Sequence, residues 1–301
     1  MRVPATFARY AARGPEFADF LDRLPRLVHD LMAQWQLIED GETRHGFCAV
    51  VVPVRTDSGS PAVLKVGFPH REAEHEHLVL QHWHGRGAVR LLRADPHRSA
   101  LLLERLHTED LGVLWDVEAC ELVAGLYARL HVPAPAQLRP ATAAVRRSAA
   151  ALAELPRAAP LPRRLVEQAV SLARALVEDP ASTGTTIHGD LHYGNVLAAD
   201  REPWLAIDPK PLSGDPHVEV VPMLWNRWDD VAGDVRAGVR RRFHALVDAA
   251  GLDEHRARDW VVVAMMGLAV ERLADGPQVR RVTSTQDWLT RCVAVAKAVQ
   301  D

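Results

Sequence analysis

The segment His188-Gly189-Asp190-Leu191-His192-Tyr193-Gly194-Asn195 carries the side chains best suited to chemistry. Asp190 stands five residues before Asn195 in a glycine-punctuated loop, and Asp208 follows a short apolar stretch as Ala206-Ile207-Asp208. Two carboxylates and an amide offer oxygen ligands and a proton acceptor. The set suits orienting a hydroxyl nucleophile while a divalent cation is held on phosphate oxygens. Parts of the segment admit other chemistry. His188, Asp190 and His192 alternate, so on an extended chain they would face one way, as zinc ligands of a hydrolase do. Such a site needs further His or Cys ligands and leaves Asn195 and Asp208 without a use. Asp and Asn also close turns through their own side chains. Singly that is the plainer reading; for the ordered set it is not.

The order Asp190, Asn195, Asp208 resembles the protein-kinase pattern. There an Asp positions the attacking hydroxyl, an Asn five residues later ligates a metal, and a second Asp past a β-hairpin ligates the metals on the phosphates. With Ile207-Asp208-Pro209-Lys210 after it, the loop is similar to the aminoglycoside phosphotransferase group. The run Pro211-Leu212-Ser213-Gly214-Asp215-Pro216 and the later Leu224-Trp225-Asn226-Arg227 resemble its aminoglycoside/hydroxyurea branch, and the likeness extends from about Phe17 to the last helix. The resemblance implies an α+β, two-lobed protein-kinase-like fold. Its small antiparallel-sheet lobe would span 1–106 and its mainly helical lobe 107–301. It implies ATP and Mg²⁺ as cofactors, Asp190 as the catalytic residue, and Asn195 and Asp208 as metal ligands. Adenine would meet backbone groups of Glu104 and Leu106 in a hinge. The acceptor would be a hydroxyl of a small polar molecule, either a streptomycin-like aminoglycoside or hydroxyurea. Two alternatives stay open: a kinase of a sugar, choline-like or amino-acid hydroxyl, and a degenerate fold that only binds ligand.

These residues need elements to position them. Phe17, Phe20, Leu21, Leu24, Leu27, Val28 and Leu31 mark an amphipathic helix over 16–33, broken or restarted at Pro25. Trp35–Glu39, Phe47–Val54, Ala62–Val66, Ala88–Arg93 and Ala100–Glu104 read as five strands of an antiparallel sheet. The turn from Gly41 to Gly46 sits where a kinase covers the phosphates. It lacks the three-glycine pattern, and Arg44 is its phosphate-contact candidate. Lys65 lies mid-strand, where a charge is costly unless paired or facing a ligand. On the next helix, 71–83, Glu76 is the expected partner and Glu72 the second choice. From Leu111 the pattern turns helical: 116–131, 141–154, 161–178, 234–250, 253–275 and 283–299, with Asp253 as an N-cap and Gly276-Pro277 as a stop.

Composition excludes several classes. A chain of 301 residues, 48% hydrophobic and with net charge −3, has a substantial core and no basic field for nucleic acid. The longest apolar run, Val261 to Val270, is too short to span a bilayer, so no membrane partner is expected. Arg2, Arg9 and Arg13 come without a hydrophobic run, so no secretory signal is read. Cys48, Cys120 and Cys292 imply no disulfide framework and fit a reducing cytoplasm, and a monomer or homodimer is expected.

Only three of the 36 basic residues are Lys, and two of them, Lys65 and Lys210, fall at site positions. Lys210 reads either as a contact to the transferred phosphoryl group or as an ordinary ion-pair partner. A cationic acceptor would want local carboxylates. The candidates are Glu219, Asp229, Asp230 and Glu271, with Asp215 nearby. Trp225 and Trp228 are placed to stack on a guanidinium.

Overall fold

The computed structural model describes residues 3–274 and 283–300. The chain divides into two compact units, Met1–His107 and Thr108–Asp301. In the first, the short helix α1 (Ala5–Ala8) and the long helix α2 (Pro15–Trp35) precede strands β1 (Ile38–Glu39), β2 (Arg44–His45), β3 (Ala49–Arg55) and β4 (Pro61–Gly67). Helix α3 (Glu76–Trp83) and strands β5 (Leu91–Asp95) and β6 (Ala100–Glu104) follow. The sheet has six strands rather than the expected five, because Arg44-His45 pairs with β3 as an extra short strand. Its order is β1-β3-β4-β6-β5, and every pairing is antiparallel.

Strand periodicity builds this unit's core. Val50, Val52 and Val54 of β3 and Ala62, Leu64 and Val66 of β4 alternate onto one buried face. Helix α2 lays Phe17, Phe20, Leu21, Leu24, Val28 and Leu31 into the same cluster. Pro25 does not break α2; it sits inside the helix on the exposed side. An interior proline costs about 3 kcal/mol. Each large apolar side chain buried returns about 1.5–3 kcal/mol, so six of them outweigh it. Trp35, expected to open a strand, closes α2 instead, and Gln36 caps it at φ 55°.

The second unit holds α4 (Asp116–Leu130), α5 (Thr142–Ala153), α6 (Arg163–Glu178) and strands β7 (Thr185–Ile187), β8 (Val196–Ala198), β9 (Trp204–Ala206) and β10 (Leu212–Gly214). Helices α7 (Val221–Trp225), α8 (Val235–Ala250), α9 (Glu254–Ala274) and α10 (Thr285–Ala298) complete it. The Asp253 carboxylate accepts the Arg256 amide at 2.7 Å, as expected of an N-cap. The stop at Gly276-Pro277 lies outside the described residues. Val261, Val262, Val263, Met265 and Met266 are core, and no helix among the described residues is long and apolar enough to cross a membrane.

Candidate active site

Two short ladders present the loop. β7 pairs with β10, Ile187 opposite Leu212, and β8 pairs with β9, Val196 opposite Ala206. Each is prolonged by one backbone bond: Lys210 N–H to His188 O at 2.8 Å, and Ile207 N–H to Asn195 O at 2.9 Å. Asp190, Asn195 and Asp208 therefore emerge from neighbouring ladder ends although 18 residues separate the first from the last. Gly189 sits at φ +81°, and a Cβ there would lie 2.3 Å from Lys210 O. No other residue fits without moving the strand. Asp208 holds φ 55°, a left-handed conformation rare for a residue with a Cβ.

His188 is fully buried and joins the two segments. Its Nε2 donates to Ile207 O at 2.9 Å, and its Nδ1 accepts the Asp190 amide at 3.3 Å. Burial holds its pKa below the usual 6.5, which keeps the one-donor, one-acceptor form that these bonds require. Burial likewise lowers His192, whose Nδ1 accepts the Gly194 amide at 3.1 Å. Both histidines are braces. The alternating zinc triplet is not formed, and among the described residues no group of three or more His, Cys, Asp or Glu is placed to hold a metal ion.

The Asn195 amide nitrogen donates to Asp190 O at 2.8 Å, so its amide oxygen is the atom offered to a cation. With the Asp208 carboxylate this makes an oxygen-only pair. Such a pair fits Mg²⁺, which takes one or two protein oxygens plus phosphates and water. Lys210 Nζ donates to Asp190 Oδ2 at 2.5 Å.

Glu219 does not line a cleft. It is 1% exposed, and both oxygens are spent on the 188–195 loop: Oε2 accepts the His188 amide at 2.9 Å and Oε1 the Gly189 amide at 2.8 Å. Tyr127 donates its hydroxyl to Glu219 O at 2.7 Å. Burial alone would raise the Glu219 pKa. The neighbouring His131 imidazole, whose Nε2 lies 3.6 Å from Oε2, and the backbone donors of the loop bring it below the ordinary carboxylate value. Asp215 is also buried, accepting from Trp260 Nε1 at 2.6 Å and Arg256 Nε at 2.5 Å.

The remaining acceptor candidates differ in kind. Asp230 pairs with Arg227 at 2.5 Å, Asp229 is exposed, and Glu271 accepts from Ser148 Oγ at 3.5 Å. Both tryptophans are half-buried and already have partners. Trp225 packs edge-on against Trp288, and Arg291 already lies over Trp228, 4.8 Å from its centroid.

A second brace was not read from the sequence. Arg242, 0% exposed, grips both Asp116 oxygens through Nε, at 2.9 and 2.8 Å, and donates to Asn226 O at 2.6 Å and Arg227 O at 3.1 Å. The Tyr193 hydroxyl of the 188–195 loop donates to the same Asp116. In sequence, Asp116 looks like a helix-start carboxylate and Arg242 like one of a run of surface arginines.

In the first unit, Lys65 Nζ reaches both Glu76 oxygens, at 2.7 and 2.8 Å, and the pair is largely buried. Glu76 opens α3, whereas Glu72 is exposed in the preceding turn. Arg44 pairs with Val51, and Val51 pairs with Lys65. Residues in one cross-strand row share a face, so Arg44 and Lys65 point the same way from backbones two strands, about 10 Å, apart. Glu104 ends β6 and bonds Arg90 through its amide and its carboxylate; Leu106 lies just beyond the strand.

Against known proteins, residues 34–276 match the family described as aminoglycoside/hydroxyurea antibiotic resistance kinase. The streptomycin 6-kinase of Streptomyces glaucescens is 42% identical over 284 residues, covering 91% of this chain and 90% of that protein. The hydroxyurea phosphotransferase of Kitasatospora aureofaciens is 39% identical, covering 92% and 82%. Among solved structures, a thermostable mutant of an aminoglycoside phosphotransferase, in ternary complex with ADP and hygromycin B, is similar with a TM-score of 0.57. It shares 15% identity and covers 90% of this chain and 97% of that one. That likeness speaks to the fold, which is the α+β protein-kinase-like one.

Proposed function

The chain belongs to the aminoglycoside/hydroxyurea antibiotic resistance kinase family, and on that premise we infer that it transfers the γ-phosphoryl group of ATP to a hydroxyl of a guanidino-cyclitol antibiotic of the streptomycin kind. The observation that carries the reading is the loop geometry: Asn195 bonded to Asp190, and Asn195 laddered to the residue before Asp208.

Asp190 orients the acceptor hydroxyl and holds its proton as the oxygen attacks phosphorus and the bond to the ADP oxygen breaks. Lys210, bonded to Asp190 Oδ2 at 2.5 Å, holds that carboxylate in place and is near enough to follow the transferred group. Asn195 and Asp208 hold Mg²⁺, which when bound supplies the positive charge that phosphoryl transfer needs. Lys65, steadied by Glu76, neutralises phosphate charge, with Arg44 on the same sheet face as a further contact. Backbone groups at Glu104 and Leu106 take adenine. Asp229, Asp230 and Glu271 contribute the negative surface that a cationic acceptor meets. No covalent intermediate forms; positioning and electrostatics supply the rate. A reaction that draws on ATP suits a cytoplasmic enzyme.

Hydroxyurea is the second reading, favoured by a relative of that name at 39% identity. An ADP-release assay with ATP and Mg²⁺ against streptomycin, hydroxyurea and a neutral sugar separates the two. Streptomycin is expected to be turned over best. Turnover of hydroxyurea alone moves the acceptor to the second reading, and turnover of the sugar alone defeats both.

A further inference from the structure

Residues 110–116 form a strap against the catalytic loop. At one end Asp110 bridges to Leu197, its carboxylate caps the Gly112 amide at 2.7 Å, and Glu109 O accepts the Ala198 amide at 2.9 Å. At the other end Asp116 takes the Tyr193 hydroxyl and the Arg242 guanidinium. In the middle, Leu114 O accepts from Arg227, whose own guanidinium stacks on Tyr193 at 4.7 Å. A segment tied this firmly still leaves Val113 62% and Trp115 72% exposed. They are the exposed large hydrophobics of the second unit among the described residues, and Trp115 is the exposed one of the chain's eight tryptophans.

Trp115 also breaks a local rule. It occupies the N-cap of α4, where a Ser, Thr, Asp or Asn would bond the first turn, and it makes no cap bond. Helices α2, α3, α5 and α6 also begin without a cap bond, so it is the exposure of Trp115 on a tied strap beside the loop that sets it apart. Elsewhere the chain covers aromatic faces with its own arginines: Arg291 over Trp228, Arg272 over Trp288, Arg227 over Tyr193. The Trp115 ring has no such partner among the described residues.

We propose that Trp115 is a specificity-determining residue: an exposed aromatic plate on a tied backbone that stacks on a guanidinium of the acceptor beside the catalytic loop, with Val113 as a second exposed apolar residue of the strap. The proposal rests on the streptomycin-class reading above and names the group recognised. A flat, weakly hydrated guanidinium over an indole face is a favourable cation–π pair. Hydroxyurea, small and uncharged, gains nothing from it.

The test is steady-state kinetics of Trp115→Ala and Trp115→Phe with streptomycin, hydroxyurea and ATP varied in turn. Trp115→Ala is expected to raise the streptomycin KM about tenfold, with kcat within about twofold and the ATP KM unmoved. Trp115→Phe should recover most of the loss, and any hydroxyurea KM should not change. An unchanged streptomycin KM in an active Trp115→Ala enzyme overturns this inference and leaves the proposed function standing. A rise in the ATP KM instead assigns the strap to the nucleotide and overturns it too. A fall in kcat alone in both variants makes the residue merely structural. A wild-type enzyme inactive on streptomycin defeats the function first and this inference with it.

Discussion

Asp190 is held by a cation through one oxygen and by a buried imidazole through its backbone amide, so its carboxylate is aimed before any substrate arrives. Asp190→Ala should cut transfer by at least about a hundredfold, while ATP–Mg²⁺ affinity stays near wild type in a calorimetric titration. Loss of nucleotide affinity instead would move Asp190 to the metal set. Glu219 makes the complementary case. Read from sequence it belonged to the acceptor wall; in the fold it holds two amides of the loop. Gln in its place offers one acceptor oxygen and turns an NH₂ toward the other amide, an unsatisfied contact worth about 1–3 kcal/mol. Glu219→Gln should therefore lower kcat about tenfold with the acceptor KM unchanged. A KM effect alone would return Glu219 to the acceptor.

At the scale of elements, the site depends on two three-residue ladders whose ends are locked together by His188. Gly189 is where this packing is least forgiving. Ala there must adopt φ +81° and displace the Lys210 carbonyl. Gly189→Ala is expected to lose about 2–4 kcal/mol in urea unfolding and nearly all activity. An active, equally stable variant would contradict the loop geometry. Asp215 serves at the same scale. It anchors the segment after β10 to α9 through Arg256 and Trp260, which explains why a carboxylate in a motif-like run is unreachable by substrate.

At the scale of the whole molecule, burial holds His77, His188 and His192 below the ordinary histidine pKa. Unfolding releases them to bind protons at about pH 6.5. The unfolded state then carries more protons than the native one, so stability falls as pH drops below that value. Glu219 and Asp215 are shifted below the ordinary carboxylate values, despite burial that opposes the shift, by His131 and His217 respectively together with their other donors. Their contribution is intact above about pH 4.5 and is lost only as pH falls further. A melting-temperature series should decline in two stages, from pH 6.5 downward and again below pH 4.5. A flat profile between pH 7.5 and 5 would contradict the neutral, buried histidines.

Much of this was legible in one dimension. The order Asp190, Asn195, Asp208 survives in any sequence reading because ladder, loop and hairpin are local in the chain. Period-two alternation puts Lys65 on the face opposite Leu64 and Val66, and the family resemblance selects Glu76, because helix spacing sets Glu72 on the same face and cannot separate the two. Pro25, the strand at Arg44-His45, Glu219, Asp215 and the Asp116–Arg242–Tyr193 brace were decided only in three dimensions. A carboxylate reads the same in sequence whether it meets water, a substrate or an amide 31 residues away. Pattern records which face a residue takes, and tertiary packing alone decides what that face meets.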